Sequence, residues 1–434
     1  MLTKTTLLLI AAAALQLACK AAAPPPIKVG VLHSFSGVMA ASEKPVADAV
    51  LLAVEEINKS GGVLGRPIEP VVADGRSDPN VFQKEAERLI TQEHVAVIFG
   101  CWTSASRKAV KPIVEKYNSL LFYPVQNEGL EQSPNIIYIG ASPNQQLIPA
   151  VVWAKDHLGK RFFLVGSDYV FPRAANAIAK DVLRYTGGQV VGEYYVPLDG
   201  KDFTKIAEAI KKSKSDVVLN TINGDSNIYF FEALHEARLP SSKIAIFSLS
   251  LDENGIDSIQ KRFQAHHPKE AAHFFKEHLA GTFACWNYFE RIDNPLNAAF
   301  VDKFKKKYGR NYRVSDPAEA AYIGVKLWSQ STAEYGSIEN PNELLNHLTH
   351  LSLPAPEGVV TIDKNNHARR TIRIGRLNET GSFDILWTSK WPITASPYPI
   401  FRTTAYWNDL LNRLYQGWNG QWAAAAQGRS GDGR

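Results

Sequence analysis

The strongest constraint in this chain is an alternation of short apolar runs with amphipathic stretches, repeated in two successive series. "IKVGVLHS" (Ile27 to Ser34) is a strand-like run that ends in small polar residues. The stretch after it, "VADAVLLAVEEINKSGG", places Val46, Val50, Ala53, Val54 and Ile57 at helical spacing and stops at Gly61-Gly62. "IEPVVADG", "VAVIFG" and "SLLFYPV" continue the strands, with "PNVFQKEAERLITQ" and "SASRKAVKPIVEKYN" as helices between them. After "IIYIGAS" the pattern restarts with "RFFLVGSD", "VVGEYYVP", "DVVLNTI" and "KIAIFSLS". Two such series predict an α/β fold of two open, mostly parallel sheets flanked by helices. At 434 residues the chain exceeds one ordinary core, which also favours two lobes.

Ligands of open α/β sheets bind beyond the carboxyl ends of the strands. Between two lobes those ends face one another across a cleft, so the residues just after each apolar run are the place to search. They are "HSFSG" (His33 to Gly37), "CWTSAS" (Cys101 to Ser106), "YPVQNEG" (Tyr123 to Gly129), "GSDYVFPR" (Gly166 to Arg173) and "NGDSN" (Asn223 to Asn227). Trp102, Tyr123, Tyr169 and Phe171 offer walls; Ser104, Gln126, Asp168, Asp225 and Ser226 offer directional hydrogen bonds. That mixture suits a small-molecule pocket. Each polar residue also has a plain structural reading. Ser104 or Ser106 would cap the helix that follows, and Asp168 and Asp225 would do the same for theirs.

Other chemistries find little support. A net charge of +5 over this length, without a dense Lys/Arg block, gives no footprint for nucleic acid. "GGVLGRP" (Gly61 to Pro67) follows a helix and lacks a Gly-Lys-Ser/Thr ending, so it is not a phosphate loop. No Gly-x-Ser-x-Gly elbow occurs, and Ser226 in "NGDSN" has no histidine near an obvious strand end except His33. His266-His267 are sequence neighbours, which seldom converge on one ion, so neither a metal nor a cofactor is expected.

The beginning, "MLTKTTLLLIAAAALQLACK", has an early lysine and an apolar core too short to span a membrane. It reads as an export signal over residues 1–18, with residues 19–26 a Pro-rich tether and Cys19 a candidate lipidation site. The expected location is therefore periplasmic or otherwise extracytoplasmic, with a lipid anchor to the membrane. Cys101 and Cys285, the remaining cysteines, lie in apolar runs and read as buried free thiols.

"GGVLGRPIEPV", "FGCWTSASRKAV", "LLFYPVQNEG", "GSDYVFPR", "NTINGDSN" and "ACWNYFERIDNP" together resemble the urea ABC-transporter substrate-binding proteins. These are type I periplasmic binding proteins, related to the short-chain amide sensor of amidase operons. The similarity runs from Ile27 to Trp422 and includes "DPAEAAYIGVKLW", "APEGVVTID" and "YQGWNGQW". It implies a two-lobed fold joined by three hinge crossovers. Lobe I would comprise 27–142 and 285–349, lobe II 143–284 and 350–395, and 396–434 would form a C-terminal extension with a disordered end.

The resemblance also implies a pocket. Trp102 and Ser104 would form its floor, with Tyr123, Val125 and Gln126 on the adjoining loop. Tyr169 and Asp168 would close from the second lobe, beside Gly224 and Asp225. Asn127 and Phe171 depart from the family pattern, where tyrosines are common. "YPVQNEG" replaces the loop with which amino-acid receptors clamp a carboxylate, which argues against an α-amino acid. The implied function is an exported receptor that closes on urea or a short amide and delivers it to ABC permease subunits. A regulatory amide sensor would not carry the export signal, and a branched-chain amino acid-type receptor is the other alternative on this fold. An amidohydrolase would need an activated nucleophile or a metal, and neither is evident, so no enzyme is expected.

Overall fold

The computed structural model describes residues 24–425. The expected signal, Cys19 and the last residues of the extension lie outside them. The first series forms a five-stranded sheet in the order β2-β1-β3-β4-β5, parallel throughout. Its strands are β1 (Ile27–His33), β2 (Ile68–Asp74), β3 (Ile98–Gly100), β4 (Leu121–Tyr123) and β5 (Ile136–Tyr138). The helices Ala40–Lys59, Pro79–Thr91 and Ser104–Lys116 connect successive strands. Asp78 starts the second of these, its side chain accepting from the Asn80 amide at 2.9 Å with Pro79 just inside the helix. Val29, Val31, Phe99, Phe122 and, from the later helix Asp316–Tyr335, Trp328 fill the core around the sheet.

The second series supplies β6 (Arg161–Ser167), β7 (Gln189–Val196), β8 (Val217–Thr221), β9 (Ala245–Ser248) and β10 (Phe283–Trp286). Three short strands follow, β11 (Ser352–Ala355), β12 (Gly358–Ile362) and β13 (Ala368–Arg369), paired antiparallel in a small sheet of their own. Val360, Ile362 and Ala368 are buried in the first core, so the chain feeds that core well past residue 349. The last strands, β14 (Arg373–Leu377) and β15 (Phe383–Thr388), join the second sheet in the order β15-β14-β10-β9-β8-β6-β7. β14 and β15 run antiparallel at its edge, whereas the other five are parallel. The α/β, two-lobed expectation is met, with an antiparallel margin on one sheet.

The chain passes between the sheets three times, after β5, after β10 and before β14. The crossings are tied to one another. Asn287 Nδ2 donates to the Thr371 carbonyl at 3.0 Å and the Gln145 carbonyl at 3.4 Å, while Arg370 Nη1 donates to Ile139 at 2.9 Å. Arg370 is fully buried and faces three carboxyl groups, Asp316 at 3.3 Å, Glu319 at 3.1 Å and Glu357 at 2.6 Å. The helix Thr404–Gly417 buries Trp407 in the second lobe, and Arg402 grips Asp181 with two bonds of 2.8 and 2.6 Å. No described helix is long and apolar enough to cross a membrane.

Candidate functional site

β3 ends on Gly100, where an added Cβ would lie 2.3 Å from the Leu32 carbonyl, so only glycine fits there. Cys101 follows in the left-handed region (φ +68°) and its amide donates to Leu32 at 2.9 Å. This sharp turn sends Trp102 and the next helix into the space between the lobes. Thr103, rather than Ser104 or Ser106, caps that helix, its hydroxyl accepting from the Ser106 amide at 3.0 Å. Three neighbouring hydroxyl residues are equivalent as caps by composition; only the extended backbone of Thr103 decides between them.

Freed from capping, Ser104 enters a buried ionic cluster. Its Oγ donates to Glu128 Oε2 and accepts from Arg107 Nη1 at 3.0 Å. Arg107 also binds Glu128 Oε1 at 3.0 Å and Glu131 Oε1 at 2.7 Å, and Lys108 pairs with Glu131. Burial alone would raise the Glu131 carboxyl, but Arg107 and Lys108 outweigh it and hold the group well below its ordinary range. Ser104 therefore gives its one proton to Glu128 and neither caps the helix nor offers that proton elsewhere.

Tyr123 sits 4.7 Å under the Arg107 guanidinium, and its hydroxyl donates to the Trp102 carbonyl. Val125 is buried, with Gly140 packed so closely that a Cβ would fall 2.1 Å from the Val125 carbonyl. Gln126 reaches across to the second lobe, where its Nε2 donates to the Leu249 carbonyl at 3.0 Å. Its Oε1 is buried and has no hydrogen-bond partner. Trp102 Nε1 also crosses the cleft, donating to Asn223 Oδ1 at 3.4 Å.

Tyr169 is buried at the start of the helix Val170–Thr186; burial, with Tyr123 and Glu128 nearby, pushes its phenol well up. Gly224 (φ +62°) meets the first lobe directly, since a Cβ there would lie 2.6 Å from the Val38 carbonyl. The Asp225 amide donates to that same carbonyl at 3.1 Å. The Asp225 side chain makes no capping bond and lines a crevice with Ala41, Ser42 and Ser250. Burial raises its carboxyl, against the pull of Arg262 and Lys201. The lobes are thus closed on each other, with Trp102, Ser104, Tyr123, Val125, Gln126 and Tyr169 gathered at the centre and Gly224 and Asp225 beside them.

Asp168 is set apart from this group. Its part-exposed carboxylate accepts from Arg173 Nε at 2.7 Å, and its carbonyl accepts from the Ala424 amide of the C-terminal extension at 2.9 Å. Sequence reasoning passed over Asn223, the Leu249 carbonyl, Arg107 and Glu128. All four stand inside stretches quoted above, yet Trp102, Gln126, Glu131 and Arg107, the partners that bring Asn223, Leu249, Arg107 and Glu128 to the site, are more than 20 residues from them and no local pattern announces the pairs. His33 Nδ1 faces Glu43 at 3.3 Å, and Ser226 Oγ donates to the Leu198 carbonyl at 2.8 Å. Cys101 and Cys285 are both free and buried.

Residues 27–404 match the family described as "Periplasmic binding protein domain". The chain belongs to the periplasmic binding protein family. A "Leu/Ile/Val-binding protein homolog 6" of Brucella melitensis is 25% identical over 372 residues, spanning 84% of this chain and 90% of that protein. Among solved structures, a solute-binding protein of an R. palustris ABC transporter in complex with 4-hydroxybenzoate superposes with a TM-score of 0.74. That pair is 22% identical and covers 85% of this chain and 98% of the other, a likeness of fold. A "Limonene hydroxylase" of Geobacillus stearothermophilus is 36% identical over 121 residues, which are 28% of this chain and only 22% of that protein.

Proposed function

We propose that this member of the family is the substrate-binding receptor of an ABC importer for urea or a short-chain amide. The observation that carries the reading is the polarity of the closed centre. Gln126 Oε1 is an orphaned, buried acceptor, and the one guanidinium at the floor, Arg107, already has two glutamates. A buried acceptor without a donor costs about 1–3 kcal/mol, so a ligand that brings N–H groups recovers it. A carboxylate brings only acceptors and finds no unpaired cation at the floor. Urea or a short amide is neutral, small and rich in N–H, and the buried rings of Trp102, Tyr123 and Tyr169 would exclude water around it. Binding between the lobes would stabilise the closed form through contacts to both, which is how a ligand shifts a hinge equilibrium.

A branched-chain amino acid-type receptor is the second reading, favoured by the full-length likeness to the Brucella protein. Calorimetry with urea, acetamide, leucine and benzoate separates the two. Saturable heat from urea or acetamide supports the proposal; heat from leucine alone removes it. In the same role the chain is exported and held at the membrane through Cys19. A Cys19→Ala precursor should then move to the soluble fraction, and continued membrane fractionation would end the anchor reading.

A further inference from the structure

We infer that Glu128 is a specificity-determining residue, one that fixes the hydrogen-bond polarity of Ser104 so that the floor accepts N–H groups and refuses carboxylate oxygens. The inference rests on the reading of the cleft as an amide site. A serine hydroxyl has one proton to give and two lone pairs to offer. Here the proton goes to Glu128 Oε2, and Arg107 Nη1 takes one lone pair at 3.0 Å. What remains on the hydroxyl is a single lone pair, which can only accept. Glu128 is locked in the acceptor role because its other oxygen holds Arg107 Nη2 at 3.0 Å, and both side chains are 0% exposed. Turning the hydroxyl toward a ligand oxygen would strip a buried carboxylate of a hydrogen bond that no water can replace. Gln126 Oε1, also a buried acceptor, has the same polarity.

Glu128 touches no ligand in this account; it is a positioning residue that acts through Ser104. Its effect should therefore appear in selectivity, which a merely structural side chain would leave alone. Acetamide and acetate are the suitable probes, since they share one shape and differ in NH2 against O−. The full chain should prefer acetamide by about a hundredfold, the order expected when a buried polar group is left facing the wrong partner. In Glu128→Gln the amide can donate to Ser104 Oγ, which frees the hydroxyl proton for a ligand oxygen and leaves Arg107 one counter-charge short. The preference should then fall by about tenfold or more. Ser104→Ala keeps the Arg107–Glu128 pair and should lose acetamide affinity about tenfold, with acetate unchanged. Thermal melts confirm that each variant is folded, and Ser104→Ala carries the test should Glu128→Gln not fold. A folded Glu128→Gln with an unaltered acetamide-to-acetate ratio would overturn the role of Glu128, and an unaltered ratio in Ser104→Ala would overturn it too. A wild-type chain that binds neither urea nor acetamide overturns the amide reading, and this inference with it.

Discussion

Two buried ionic clusters organise this molecule, and they are balanced differently. At the floor of the first lobe, Arg107 and Lys108 meet Glu128 and Glu131, two cations against two anions. At the hinge, Arg370 meets the carboxyls of Asp316, Glu319 and Glu357 while Arg373 binds the Glu357 backbone carbonyl, an excess of acid. Burial raises all three hinge carboxyls despite the arginines, with Glu357 pushed up to about 7 and Glu319 well above its ordinary value. The floor shows the opposite sign, with Glu131 held down. Burial is comparable in both places, so the difference lies in stoichiometry. Two cations beside Glu131 favour its charged form, whereas an excess of acid around Arg370 favours retention of a proton. Glu131 at the floor is thus insensitive to ordinary pH, whereas the carboxyls beside the lobe crossings are placed to respond to it.

The most damaging way to break the contrast is Arg107→Met, which leaves two buried carboxylates with only Lys108 between them. It should cost about 3–5 kcal/mol, read as a large fall in Tm, and a Tm near the parent value would contradict the balanced-cluster account. Arg370→Met should cost about 3 kcal/mol at pH 8 but clearly less at pH 5, where the excess acids take up protons. An equal cost at both pH values would show that the hinge is not proton-buffered. Glu357→Gln addresses the pH response itself. The folded value of about 7 lies above the ordinary 4.5, so the contribution of Glu357 is complete below 4.5 and fades as pH rises through about 7. The variant should match the parent near pH 4.5 and exceed it by about 3 kcal/mol at pH 8. A parent whose melting temperature does not decline relative to the variant over that window would refute this. Thr103→Ala, which removes only the cap beneath the floor, should cost about 1 kcal/mol in thermal unfolding. A loss of several times that would mean the hydroxyl supports the ionic cluster as well.

Much of this was legible in the sequence because it depends on local pattern. The alternation of apolar runs and helical spacing gave both sheets, and small residues after "VAVIFG" marked a strand end at the cleft. What the sequence did not disclose depends on contacts distant along the chain. Glu131 meets Arg107 only because β4 and β5 lie beside β3, and Arg370 meets Asp316 across 54 residues. The antiparallel edge of β14 and β15 follows no βα repeat, so the series could not announce it. Asp168 sits in a strand-end motif like the other candidates, yet Arg173, one helical turn on, draws its carboxylate into an ion pair. Ser104 was singled out by its place after a strand end, but its direction of donation was not readable without Glu128.

That direction is the centre of the account, and a crystal structure with bound acetamide tests it most directly. The account predicts the acetamide nitrogen within hydrogen-bond distance of Ser104 Oγ or Gln126 Oε1, with the Ser104–Glu128 bond intact. An acetamide carbonyl oxygen on Ser104 Oγ, with that bond broken, would contradict it.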